Sequence, residues 1–275
     1  MGTRLLAGRS GPRLRSAVLA LGLVAVAWSA PTAVAAAGDR TPPHVSAPVV
    51  RIRSVAGFGT VAQVSVAVTG TDTQSGLGSS SLGPTFYIAV SRNGGSYATI
   101  KPTMVQTIGI HNPVTFVINR SLALTGTYRF RAKMRDLAGN WSGWVTGPTF
   151  SARITQDSST TMRYSAGWSP VLDARWSGGS VRSSIVAGST AVVSFTGRGI
   201  GWVAHRDAES GLAEVWIDGT LQATVDLYNT SSTTLGPLVV FSKTWGSSAL
   251  HKIAIKVLGT DRHPKSDHDA LLILR

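Results

Sequence analysis

Arg129, Arg131, Lys133 and Arg135 alternate with Tyr128, Phe130, Ala132 and Met134. Successive side chains of an extended strand point to opposite faces, so this spacing puts four cations on one side and the apolar residues on the other. At roughly 3.3 Å per residue the row spans about 20 Å and suits an extended polyanion, such as an acidic cell-wall polymer. An ordinary solvated strand face carries the same pattern, and salt-dependent affinity separates the two.

The second half holds the groups that could act as acids, bases or ligands. Asp207 and Glu209 form a close acidic pair beside an aromatic strand. A glycosidase needs two carboxylates roughly 5–10 Å apart across a cleft, and a loop pair without a cleft is a weak version of that arrangement. Asp261, Asp267, His268 and Asp269 cluster near the C-terminus and offer oxygen ligands for a structural Ca²⁺, but Arg262 and Lys265 stand among them as neutralising charges. The spacing of His263 and His268 does not make a zinc site, and a chain with no Cys has neither a thiolate ligand nor a cysteine nucleophile. No nucleophile elbow, zinc-protease helix or phosphate-binding loop is present, and Ser, His and Asp show no triad spacing. The expectation is therefore no catalysis, no metal site and no cofactor, with a structural calcium on those acids as the alternative. A hydrolase with an unrecognised site is the remaining enzymatic alternative.

These groups sit in a chain of 275 residues with 43% hydrophobic and 14% charged residues and a mean hydropathy of +0.14, too apolar for a disordered protein. Thirty Gly and 12 Pro without a three-residue period favour many turns over a collagen helix. Residues 1–37 read as a secretory signal: Arg4, Arg9, Arg13 and Arg15 precede an apolar stretch over 17–30 and small residues over 33–37. No apolar run of about 20 residues follows, so the exported chain is expected not to span a membrane. Residues 38–155 carry eleven Lys and Arg against three Asp, whereas 156–275 carry eleven against ten acids. This asymmetry, with a polar linker at Thr155–Thr161, predicts one domain over 41–154 and a second over 160–275.

Seven strand signals fill the first domain: 49–54, 61–69, 85–91, 97–101, 114–119, 127–135 and 149–154. Asn93-Gly94 marks a hairpin between two of them. Seven strands in about 110 residues fit a sandwich in which the last strand neighbours 127–135 and adds Arg153 to the cationic face. The second domain reads as eight short strands: 180–186, 191–195, 199–206, 212–218, 221–228, 237–243, 251–258 and 270–274. Asp218-Gly219 forms a tight turn. The predicted fold class is all-β, two sandwiches after a signal peptide.

Gly126-Thr-Tyr128 leading to Asp136-Leu-Ala-Gly139-Asn140, with the earlier Asp72-Thr-Gln-Ser75-Gly76 loop, resembles bacterial Ig-like and fibronectin type III modules. Gly211-Leu-Ala213-Glu-Val215-Trp-Ile217-Asp218-Gly219, followed by His251-Lys-Ile253 and Asp269–Arg275, resembles the galactose-binding-like jelly roll of carbohydrate-binding modules. The second resemblance implies a glycan site at loops on one end of the sandwich, where His205, Arg206, Asp207, Asp261 and His263 are the candidates. Sugar rings stack on exposed indoles. Trp216, outward by its alternation with Val215 and Ile217, and Trp168, in a Gly-Trp-Ser-Pro loop, are the expected platforms. Trp202 and Trp245 are expected in the core. The expected partner is a polysaccharide or cell-wall polymer. No helix-turn-helix, zinc finger or RNA-binding aromatic strand points to specific nucleic acid. The expected role is non-catalytic binding outside the cell, with non-covalent wall association; a structural or protein-interaction scaffold is the alternative.

Overall fold

The computed structural model describes residues 38–54, 56–77, 85–100, 106–108, 112–230 and 235–275. The expected export signal at 1–37 lies outside them. Among the described residues the chain is β throughout, with one 3-10 turn at Ser177–Gly179 and no helix long and apolar enough to cross a membrane.

The first assembly pairs two antiparallel sheets. One contains β1 (His44–Val45), β2 (Val49–Ile52), β3 (Val61–Thr71), β7 (Val114–Ala123) and β6 (Gln106–Ile108), with β3 at its centre. The other runs β5 (Ala98–Ile100), β4 (Phe86–Arg92), β8 (Tyr128–Met134), β9 (Val145–Thr146). Period two decides both inner faces. Ala62, Val64, Val66 and Val68 point inward from β3, and Tyr128, Phe130, Ala132 and Met134 from β8. Asn93 and Gly94 both have positive φ, 53° and 74°, as the expected two-residue turn requires.

The second assembly centres on a seven-stranded sheet. Its path is β10 (Ala152–Gln156), β19 (Ala270–Leu274), β14 (Thr190–Arg206), β17 (Leu235–Val257), β15 (Leu212–Ile217), β16 (Thr220–Asp226), with β11 (Arg163–Tyr164) paired to β14. A three-stranded sheet of β12 (Ser169–Leu172), β13 (Ser180–Ser184) and β18 (Ser266–His268) completes it. The eight segments expected here fall on six strands, beside which β10, β11, β12 and β18 also pair. Residues 191–195 and 199–206 merge into β14, and 237–243 and 251–258 into β17. The gap left between 195 and 199 is instead a register shift between Gly197 and Gly199, with pairing on both sides.

The middle of that sheet is buried on both faces, which is why β19 is an unbroken apolar run. Leu271 and Ile273 join the core of the second assembly, while Ala270, Leu272 and Leu274 join the core of the first. Val203 and Val239 also cross into the first core, opposite Trp202 and Val240 in the second. Backbone bonds reinforce the junction: Phe58 N donates to Pro237 O at 2.7 Å and Val239 N to Ala56 O at 3.1 Å.

Two expectations change here. Thr155 and Gln156, read as the start of a linker, are paired strand residues opposite Leu271 and Ala270. Arg153 does not neighbour β8. It lies on β10 opposite Ile273, because residues 145–150 take the place beside β8 and the chain then crosses to pair with β19.

Candidate functional site

The outer face of β8 carries the cations as the alternation requires. Arg129 is exposed, and Arg131, Lys133 and Arg135 are half-buried. The sequence reading missed the rings between them. Arg131 places its guanidinium carbon 4.1 Å from the centre of the Tyr97 ring and 4.3 Å from that of Trp144. Lys133 Nζ lies 4.7 Å from the Trp141 ring, 5.2 Å from Trp144 and 5.4 Å from Tyr87. Arg135 stands over Trp141 at 5.4 Å. Tyr87 and Trp141 also touch each other, centroids 5.2 Å apart.

Local chain geometry builds this ladder. Tyr87 is the cross-strand partner of Lys133 on β4. After Asp136 the chain turns back on itself: Asn140 N donates to Asp136 Oδ1 at 2.8 Å, and Ser142 N to Met134 O at 2.9 Å. A bridge between Arg135 and Trp141 then lays both indoles along the cation row. Each cation–ring contact is worth about 0.5–2 kcal/mol and fixes a long side chain in advance. The ring covers a guanidinium face and leaves in-plane donors for an anion. The Trp141-Ser-Gly-Trp144 spacing was a signal in the sequence, but only the turn shows which strand it covers.

No ion pair joins Arg129, Arg131 or Lys133 to a carboxylate among the described residues. The first half has only three acids, Asp39, Asp72 and Asp136, and these gather in a cluster of their own. At one end of the row, Tyr97, Arg129, Ser91 and Thr149 line a cleft of about 260 Å³.

In the second assembly Trp216 lies on the outer face, where its alternation with Val215 and Ile217 puts it, but is half-buried. Its Nε1 donates to Glu214 Oε2 at 2.9 Å, and Lys256 Nζ reaches the same oxygen at 3.3 Å. Trp216, Thr190, Gly219, Lys252, Ala254 and Lys256 line an open shelf of about 300 Å³.

The other expected glycan contacts are placed differently. Trp168 is 8% exposed and belongs to the core, 5.6 Å from the Tyr164 ring, because Gly167 at φ +97° turns the chain inward ahead of it. His205 is 2% exposed, its ring centre 3.3 Å from that of Trp176, and burial lowers its pKa to about 4. Trp202 is in the core as expected, whereas Trp245 is half-buried and stacks on His251 at 3.9 Å.

The loops around Asp207 and His263 do converge. His263 Nδ1 is 2.7 Å from Ala208 O, and its ring lies 4.2 Å from that of Tyr228. Asp207 Oδ1 accepts the Glu209 and Ser210 backbone N–H groups, while Lys265 bonds Asp207 Oδ2 at 2.5 Å and Glu209 Oε2 at 3.4 Å. Burial pulls the Asp207 carboxyl up, yet the hydrogen bonds from Lys265 and Ser210 hold it below its ordinary value. A lysine therefore bridges the acidic pair weighed as catalytic. Arg206 is half-buried and Asp261 exposed at the same end.

Asp267, His268 and Asp269 are buried and Asp261 is exposed, and among the described residues these four are not a group with ligand atoms within 4.8 Å of one another. Asp269 accepts the Ser177 N–H at 3.3 Å, and burial raises its pKa to about 7; fully buried His268 is lowered to about 3.

No family model matches the chain. Over 79 residues it is 33% identical to the A type blood alpha-D-galactosamine galactosaminidase of Flavonifractor plautii, a stretch covering 29% of this chain and 7% of that enzyme. The chain thus spans under a tenth of the length of this curated relative. Among solved structures it is similar to an exo-β-1,3-galactanase of Phanerochaete chrysosporium at 10% identity and TM-score 0.35, covering 84% of this chain and 69% of that one. It is also similar to the Agl-KA catalytic domain at 18% identity and TM-score 0.32, covering 44% and 27%.

Proposed function

We propose that this chain is a non-catalytic binding protein for polysaccharide outside the cell, and that the cation–aromatic ladder on β8 grips an acidic glycan. The observation that carries this reading is the joint placement of Arg131 and Lys133 between the rings of Tyr97, Trp144, Trp141 and Tyr87, with neither paired to a carboxylate among the described residues. Rings offer faces to sugar and cations offer charge to uronate, phosphate or sulfate groups. The Trp216 shelf supplies a second, less charged contact for glycan. The similarity of 79 residues to a galactosaminidase supports a carbohydrate setting. Export and non-covalent retention on the wall belong to this reading, as does the view of the chain as an Ig-like or fibronectin-type module followed by a galactose-binding-like jelly roll.

The test is retention on purified cell wall and insoluble glycans, neutral and acidic, at low and high salt. Retention on acidic polymer is expected to fall steeply with salt and to vanish in Arg131→Glu/Lys133→Glu. Retention that is salt-resistant and lost in Trp216→Ala moves the function to the shelf. No retention on any polymer favours the scaffold role.

A further inference from the structure

The three acids of residues 38–155 come from separate places: Asp39 from the segment before β1, Asp72 from the loop after β3, Asp136 from the loop after β8. They nevertheless meet, with one carboxylate oxygen of each within 4.8 Å of the others. Asp72 is 6% exposed and Asp136 fully buried. Asp39 is half-buried as a residue, but its Oδ2 is sealed from solvent and accepts no hydrogen bond.

Their remaining oxygens are already arranged. Asp72 Oδ1 accepts the backbone N–H groups of Gln74, Ser75 and Gly76 at 3.1, 2.8 and 2.8 Å, and the Ser75 hydroxyl at 3.3 Å. Asp136 takes the Asn140 backbone on one oxygen and the Asn140 amide on the other, and that amide also donates to Asp39 O at 3.1 Å. The Thr41 backbone N–H bonds Asp39 Oδ1 at 2.8 Å. Three carboxylates at this distance repel, and burial raises the cost of each charge. A buried, unpartnered Oδ2 among them adds an unsatisfied acceptor. One cation removes all three penalties.

We propose that Asp39, Asp72 and Asp136 form a binding site for a hard divalent cation, calcium in preference to magnesium, that pins the segment before β1 to two loops of the first sandwich. The ligand set is all oxygen, with no His or Cys, which suits calcium, magnesium or manganese over zinc or copper. Two ligands of one ion lie at most twice the metal–oxygen distance apart: about 5 Å for calcium and about 4.2 Å for magnesium. Oxygens within 4.8 Å of one another fall inside the calcium span, and three protein carboxylates suit calcium over magnesium, which keeps several of its waters.

The full chain, stripped with chelator, is titrated with calcium chloride and with magnesium chloride, reading both heat of binding and melting temperature. One saturable calcium site is expected, with melting raised by about 5–10 °C at a hundred times Kd. Asp39→Asn and Asp136→Asn are expected to lose this dependence and to melt, without calcium, no lower than the native chain. Should Asp136→Asn fail to fold because it also holds Asn140, Asp39→Asn carries the test, since its Oδ2 holds no other group. Absence of calcium binding in the native chain, or an undiminished shift in Asp39→Asn, overturns the site. An equal shift with magnesium overturns the preference. Polymer retention is read separately, so failure of the glycan reading leaves this result intact.

Discussion

Arg131 stacks on Tyr97 with 4.1 Å between guanidinium carbon and ring centre, and Tyr97 lies just ahead of β5, two strands away from β8 in the same sheet. The contact spans β4 and pins a side chain on the outer sheet face by its flat side. A long cation held this way binds an anion without first losing its own rotamer freedom.

Trp144 touches both Arg131 and Lys133. Trp144→Ala should weaken binding to acidic polymer by roughly tenfold and cost about 1–2 kcal/mol of stability, while far-UV circular dichroism stays native. Affinity electrophoresis through polymer-containing gels and urea melts check the two effects; unchanged mobility in the gel would remove the ladder from the binding site.

The two assemblies share a core, so they should unfold together. Leu272 lies in the first core although its strand belongs to the second sheet. Leu272→Ala should cost about 2–5 kcal/mol and lower a single calorimetric transition without splitting it. Two separated peaks in the native chain would contradict the shared core.

Gly211 tests the convergence of the Asp207 and His263 loops. A Cβ there would stand 1.9 Å from His263 O, a backbone atom that has no freedom to swing aside. Gly211→Ala should destabilise by about 2 kcal/mol or more, measured by urea denaturation. A neutral effect would mean that the loops are apart.

Buried titratable groups set the pH response. Asp269 has a folded pKa of about 7 against 3.8, so the folded chain keeps a proton that the unfolded chain releases, and stability falls as pH rises between those values. His268 and His205 act oppositely. Lowered to about 3 and 4, they stay neutral in the fold, and stability falls as pH drops below about 6.5. Asp269→Asn should therefore match the native chain near pH 4 and exceed it at pH 8 by on the order of 3 kcal/mol. Guanidinium melts at the two pH values decide it: a gain independent of pH would show that Asp269 does not titrate in this range.

Much of the β architecture was legible in the residues. Alternation along 128–135 set the inner and outer faces of β8, and Asn93-Gly94 and Asp218-Gly219 set two hairpins, with positive φ at all four residues. These are properties of neighbours in the chain, where period and turn chemistry act directly. The break expected between 195 and 199 is a register shift inside one long strand, and a bulge leaves the same glycine signal as a break. Trp168 misled because a loop position says nothing about which way a ring turns.

The residues by themselves determined an all-β chain, a cationic strand face and a first half with very few acids, since composition and period-two patterning are written along the chain. Tertiary structure alone decided which rings cover Arg131 and Lys133, that Arg153 belongs to another sheet, and that Asp39, Asp72 and Asp136 meet. Those outcomes depend on which strands pair and where loops return, and residues 33 and 64 positions apart carry no local trace of their contact.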